Sequence, residues 1–130
     1  MPGQPSSPTN AKDALTVQLF GRLDSQPTRS ALRFFKERRV TVHLVDLAQR
    51  QMAPGELRRF VDKLGPETLV DRDGRAYRDA GLGYLRMDRD ELAERLLANQ
   101  KLLRLPLVRF GNELSAGPAE TTWKAWLGRG

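Results

Sequence analysis

The chain has 130 residues, of which 39% are hydrophobic and 29% charged, a composition typical of one folded globular domain. It contains no cysteine, which excludes disulfides, thiolate metal sites and catalysis by a thiol. No apolar run approaches the roughly 20 residues that span a bilayer. The N-terminus lacks the apolar core of a secretion signal, so we expect a cytoplasmic protein.

The formal net charge is +6, which permits an acidic partner. The basic residues are distributed over several predicted elements, and no block of five occurs. We therefore expect a solvated, arginine-rich surface and no direct contact with nucleic acid.

The first half of the chain predicts a strand, a helix and a second strand. Met1–Asp13 is rich in Pro and Ser and predicts a disordered tail, so the folded domain is assigned to residues 14–130. Leu15–Phe20 alternates apolar and polar residues, Pro27–Arg38 carries an apolar helical stripe, and Val40–Leu47 is rich in β-branched residues. The short spacing indicates a parallel βαβ unit. Its first loop, residues 21–26, would present backbone N–H groups and a positive helix end to an anion or an activated nucleophile.

The second half predicts a helical region, a hairpin and a final helix. The predicted elements are a helix from Ala53 to Leu64 stopped by Gly65-Pro66, a turn at Asp71–Gly74, a helical turn at Arg75–Ala80, a helix capped by Asp88, strands at Leu102–Phe110 and Glu113–Ser115, and a last helix that begins at Gly117–Glu120. The two aspartates of the turn do not indicate calcium, because Leu82 occupies the twelfth position of such a loop.

His43 is the single histidine, and it lies within the second predicted strand. No second ligand or nucleophile accompanies it, so we expect a packed or edge residue, no metal site and no cofactor. Ser25 follows the C-terminal end of a parallel strand, whereas His43 is in mid-strand. A serine–histidine pair is therefore not expected.

The segment Leu19–Leu32 resembles the opening of the arsenate reductase (ArsC) family, which includes the Spx transcription regulators. Ser25 falls on the family's nucleophilic cysteine, and four other residues match the pattern: Phe20, Thr28, Arg29 and Leu32. Four later stretches are similar to family segments in the right order: Leu69–Tyr77, Asn99–Leu103, Leu105–Val108 and Gly117–Glu120.

This resemblance implies an α/β, thioredoxin-like fold with a mixed sheet of about four strands and a helical insertion. It places Pro106 at the family's cis-proline, beside the loop that holds Ser25. The candidate binding residues that follow are Ser25, Thr28, Arg29, Leu105 and Pro106.

The departures from the family pattern affect its chemistry. A serine hydroxyl is a much weaker nucleophile than a thiolate and cannot undergo thiol–disulfide exchange. The family's oxyanion arginines match Asp71, Leu105 and Gly117, while Arg72 and Arg104 are each one residue out of register. We do not expect arsenate reduction.

Three functions remain open from the sequence. The first is a redox-inactive module that binds a protein or a glutathione-like peptide in the thioredoxin-like cleft. The second is a regulator that contacts RNA polymerase without a redox switch, because Ser25 and Thr28 occupy the Cys-x-x-Cys positions. The third is an enzyme that uses Ser25 on an oxyanion or a glutathione-like substrate. The sequence leaves the oligomeric state open.

Overall fold

A four-stranded mixed sheet forms the centre of the protein, described by a computed structural model over residues 15–129. The strands are β1 (Thr16–Gly21), β2 (Thr41–Asp46), β3 (Leu107–Phe110) and β4 (Glu113–Ala116). Their order in the sheet is β2-β1-β3-β4. β1 pairs parallel with β2, while β3 pairs antiparallel with both β1 and β4. The predicted βαβ unit and hairpin are confirmed. The predicted tail, Met1–Asp13, lies outside the described residues.

Six α-helices connect and cover the strands within the described residues. They are α1 (Gln26–Glu37), α2 (Pro54–Leu64), α3 (Pro66–Leu69), α4 (Arg75–Asp79), α5 (Arg89–Ala98) and α6 (Glu120–Arg129). Two 3₁₀ turns span Leu82–Tyr84 and Gln100–Leu102. The sequence offers Ser25 or Gln26 as the cap of α1, and the structure has Ser25 there. Asp88 and Glu91 form the predicted reciprocal capping box on α5.

The hydrophobic core lies on both faces of the sheet. One face packs against α1 and α6, where Phe34, Phe35 and Trp123 form an aromatic cluster. The other face packs against the helical insertion, with Phe20 in edge-to-face contact with Phe60 of α2. Alternate strand residues supply the two faces, because successive side chains of a strand point in opposite directions.

The third strand begins later than its sequence predicts. The prediction of a strand from Leu102 to Phe110 is wrong in its first half, because β3 starts only at Leu107. The preceding segment pairs with the helical insertion instead: Val70 and Leu103 form an isolated bridge, and Arg104 N–H donates to Leu69 C=O at 2.7 Å. The last helix also starts later than predicted, at Glu120.

The strand register brings three separate segments to one end of the sheet. Phe20 at the end of β1 pairs with Leu107 at the start of β3, so the loop before α1 lies beside residues 103–106. Those residues are in turn joined to the insertion, where Asp71 N–H donates to Leu102 C=O at 2.8 Å. These segments enclose a cleft, and the sequence-predicted residues Ser25 and Leu105 both line it.

None of the helices within residues 15–129 is both long and apolar enough to cross a membrane. Over the same residues, no cluster of three or more His, Asp or Glu side chains could hold a metal ion.

Candidate functional site

The loop between β1 and α1 is organised by Ser25. Ser25 N–H donates to Arg22 C=O at 2.9 Å, and its Oγ accepts a 3.3 Å hydrogen bond from Thr28 N–H. Pro27 brings no N–H to the first turn of α1. Of the amides in that turn, Gln26 N–H is the one without a partner among the described residues. The N-terminus of α1 therefore offers an anion one free backbone N–H, fewer than the sequence predicts for this loop.

Thr28 lies beneath the loop and does not line the cleft. Its side chain is fully buried, and Oγ1 has no hydrogen-bond partner in the described structure. A Cβ atom on Gly21 would approach that Oγ1 to 2.6 Å, so the end of β1 passes very close to α1 at this point. A glycine at the end of β1 is what permits this approach.

Arg29 is exposed and turns back towards the loop. Its Nη1 donates to Leu23 C=O at 2.9 Å, which ties the first turn of α1 to the preceding turn. Arg29 does not line the cleft. Its role in the described structure is to hold the loop from outside.

Leu105 lines the cleft, whereas Pro106, the next residue, does not. The peptide bond between them is cis, as the resemblance implies, and Pro106 is buried. Pro106 C=O accepts from Gly117 N–H at 2.9 Å, whereas neither backbone group of Leu105 is hydrogen-bonded to another described residue. Leu105 lines the cleft opposite Ser25, so the structure brings these two predicted residues together.

The cleft has a volume of about 660 Å³ and a lining rich in charge. Four basic side chains line it: Arg22, Arg75, Lys101 and Arg104. The three carboxylates in the lining are those of Asp24, Asp71 and Asp79. Asp24 pairs with Arg22 at 2.8 Å, and Asp71 Oδ1 accepts from Asp73 N–H at 3.2 Å. The other three cations have no ion-pair partner among the described residues.

Arg22 occupies the junction of this cleft with a second cavity of about 320 Å³, which it shares with Lys101 and Leu105. Its Nε is buried and has no hydrogen-bond partner among the described residues. An unpaired buried donor costs roughly 1–3 kcal/mol, so an acceptor that reached it would recover that energy. This Nε–H is the one buried side-chain donor of the lining that lacks a partner among the described residues.

The Arg104 side chain lies against Gly117, one of the positions where the resemblance expects an arginine and this sequence has none. Gly117, which the sequence resemblance aligns with a family arginine, has a φ of 72°, and a Cβ built on it would lie 2.7 Å from Arg104 Nε. The Arg104 side chain therefore occupies the space where a side chain at position 117 would begin. Arg72, the other arginine one residue out of register, instead donates to Tyr77 Oη at 3.0 Å.

Sequence reasoning missed Arg22, Arg75 and Lys101 because they lie on three different segments. The sequence signals that locate them are weak: a basic residue directly after β1, one at the start of α4 and one two residues after the Asn99 cap. These residues can be recognised as neighbours only when the pairing of the strands and of the insertion is known.

His43 lies away from the cleft. It pairs with Gln18 of β1, three residues before that strand ends, and lines a separate surface pocket with Gln18 and Arg109. Ser25 lies four residues beyond the strand end. The hydroxyl of Ser25 thus has no histidine in the lining of its cleft.

A model of the ArsC family matches residues 6–126. The chain belongs to the ArsC family. Solved structures agree on the fold. The YFFB (PA3664) protein superposes with a TM-score of 0.77 at 20% identity, covering 85% of this chain and 98% of that one. An arsenate reductase from Vibrio cholerae gives 0.71 at 17% identity with the same coverage. An arsenate reductase (ArsC) related protein from Brucella melitensis gives 0.65 at 18% identity, covering 87% and 95%.

No curated protein matches the chain. At these identities the solved ArsC relatives establish the thioredoxin-like α/β fold and not the activity. The sequence has no cysteine, and in this ArsC-family fold Ser25 lines a cleft together with four basic side chains.

Proposed function

We propose that this ArsC-family protein is a redox-inactive binding module that holds an anionic peptide, such as a glutathione-like peptide, in the cleft between Ser25 and Leu105. The observation that carries the proposal is the unpaired, buried Nε–H of Arg22 beside Lys101 and Leu105. A carboxylate bound there would accept from Arg22 and lie within the field of Lys101. A charged acceptor makes the stronger bond, so an acidic peptide is preferred over a neutral one.

The backbone of Leu105 supports a peptide ligand. Its free N–H and C=O can pair with one residue of an extended chain, as an exposed strand edge does. Side-chain carboxylates of that chain would then meet the unpaired cations of the cleft. No step of this binding requires a thiol, which agrees with a sequence without cysteine.

The enzyme alternative gains little from the contacts of Ser25. Its Oγ is engaged as the cap of α1, and activation as a nucleophile would need an adjacent base. The alternative of a regulator that contacts RNA polymerase requires a surface for a protein partner. A cytoplasmic location would suit both the regulator and the binding module.

The proposal is tested by titrating the isotope-labelled full chain with glutathione and, separately, with its S-methyl derivative. We expect the same amide shifts at Ser25, Lys101 and Leu105 with either peptide, because the thiol plays no part. Lys101→Ala should weaken both titrations by about tenfold, because the bound carboxylate loses the attraction of a nearby cation.

Lys124→Ala is the matched control, since it removes an exposed lysine of α6 outside the cleft. Its titrations should match those of the wild type. Shifts confined to other surfaces, or binding that requires the free thiol, would contradict the proposal.

A further inference from the structure

The positive charge of the molecule is concentrated in its first third. Residues 15–53 contain seven Lys or Arg and three Asp or Glu, a balance of +4, whereas the whole chain has a net charge of +6. Five of those basic residues fall between Arg29 and Arg39, with Glu37 as the one acidic residue among them. No five basic residues are consecutive, but α1 contains three of these five: Arg29, Arg33 and Lys36.

Three of these cations share one exposed face of α1. Arg29, Arg33 and Lys36 are spaced at i, i+4 and i+7, and all three are exposed. The opposite side of the helix is buried against the sheet through Ala31, Phe34 and Phe35. Here the three residues are called the α1 basic face. With 1.5 Å of rise per residue, it extends about 10 Å along the helix.

The α1 basic face is costly for the helix itself. None of its three residues forms an ion pair within residues 15–129. Like charges at i and i+4 destabilise a helix by roughly 0.2–0.5 kcal/mol per pair. The first turn contains Arg29 and no acidic residue, although the positive helix end favours acids there. Arg29 has a structural contact at Leu23 C=O, and Lys36 suits the negative end of the helix. Arg33 has no side-chain partner within residues 15–129, and the row of three cations remains without a neutralising carboxylate there.

The surroundings of the face favour a protein partner over a nucleic acid. Leu23 is 50% exposed, and its carbonyl accepts from Arg29, so an apolar side chain stands at one end of the face. A phosphate backbone offers nothing apolar to meet it. The aromatic residues of α1 are buried, so no ring on this face can stack on a base.

We propose that the α1 basic face docks an acidic helical segment of a partner protein. Carboxylates at i, i+4 and i+7 of such a helix repeat with the same rise as Arg29, Arg33 and Lys36, and one apolar residue would cover Leu23. The surface is distinct from the cleft, because none of these three cations lines it. The inference goes beyond the proposed function and does not depend on it.

The test uses the full chain and a synthetic helical peptide of about 18 residues, with glutamates at i, i+4 and i+7 and one terminal leucine. We expect binding that weakens with added salt and amide shifts along α1. The double variant Arg33→Gln, Lys36→Gln should bind about tenfold more weakly. It should also unfold at a temperature no lower than the wild type, because a like-charge row has been removed.

The matched control is Arg58→Gln, Arg59→Gln, which removes the same charge from the exposed surface of α2. It should bind the peptide as the wild type does. Equal weakening by both double variants would overturn the proposal, because only net charge would then matter. Absence of peptide binding at low salt would overturn it too, and so would preferential binding of a DNA duplex.

Discussion

Thr28 shows how a residue that matches a family pattern can serve the fold of the site without facing its cleft. It stands at a position that the resemblance connects with chemistry, yet its side chain is fully buried against Gly21. Its hydroxyl is left without a partner within the described structure. Thr28 contacts Ser25 through its backbone, because Thr28 N–H donates to Ser25 Oγ.

Replacing Thr28 by Val should therefore stabilise the protein. Valine keeps the shape of the side chain and removes a buried hydroxyl that has no partner, which we expect to raise the free energy of unfolding by about 1 kcal/mol. Urea denaturation monitored by circular dichroism measures the change. Thr28→Ala is the control, since it removes the hydroxyl and also opens a cavity, and it should be less stable than Thr28→Val. A lower stability for Thr28→Val than for the wild type would contradict the prediction, because it would show that the hydroxyl contributes to folding.

At the scale of elements, α1 depends on the cap that Ser25 provides. The 3.3 Å bond from Thr28 N–H is the side-chain cap of this helix, and Pro27 follows it. Position 25 thus has a structural task that any short side chain with an acceptor oxygen can perform.

Ser25→Ala should lower the free energy of unfolding by about 1 kcal/mol, the usual cost of losing an N-cap. Ser25→Asp should retain the stability of the wild type, because the carboxylate both caps the helix and complements its positive end. Chemical denaturation of the three proteins decides between them. A stability loss of the same size in both variants would mean that the cap is not what Ser25 contributes.

The elements also mark the limit of what the sequence could predict. Periodicity and capping signals were enough for the helices other than α3 and for β1, β2 and the hairpin, because those signals are local. The short helix α3, Pro66–Leu69, was not predicted, since Gly65-Pro66 was interpreted only as the end of α2. The start of β3 was not predictable, since Leu103 pairs with Val70 of the distant insertion instead of continuing the strand. Arg75 and Lys101 escaped notice for the same reason: only tertiary contacts bring them to the cleft. The cis peptide before Pro106 came from resemblance and not from pattern.

At the scale of the whole molecule, α6 closes one face of the sheet through its tryptophans. Trp123 packs on Phe34 and Phe35, and its Nε1 donates to the buried Oγ of Ser115 at 2.8 Å. Trp126 stacks on Phe110 at a centroid distance of 5.9 Å. The last helix thereby joins α1 and the β3–β4 hairpin into one layer.

Trp123→Phe should destabilise the whole domain by roughly 3 kcal/mol, from lost packing and from the unpaired hydroxyl left on Ser115. In that background, Ser115→Ala should cost less than it does in the wild type, because no hydrogen bond remains to be broken. A double-mutant cycle on the free energy of unfolding measures this coupling. Additive effects would mean that the hydrogen bond contributes nothing.

The location of the tryptophans has a spectroscopic consequence. The chain has two, both in α6, and both are buried on the face of the sheet that packs against α1. None of the residues that line the cleft is aromatic. The tryptophan emission will therefore report whether α6 stays packed on the sheet. It will change little when a ligand binds beside Ser25. A partner helix that binds along α1, the immediate neighbour of Trp123, would be the event that the native emission can register.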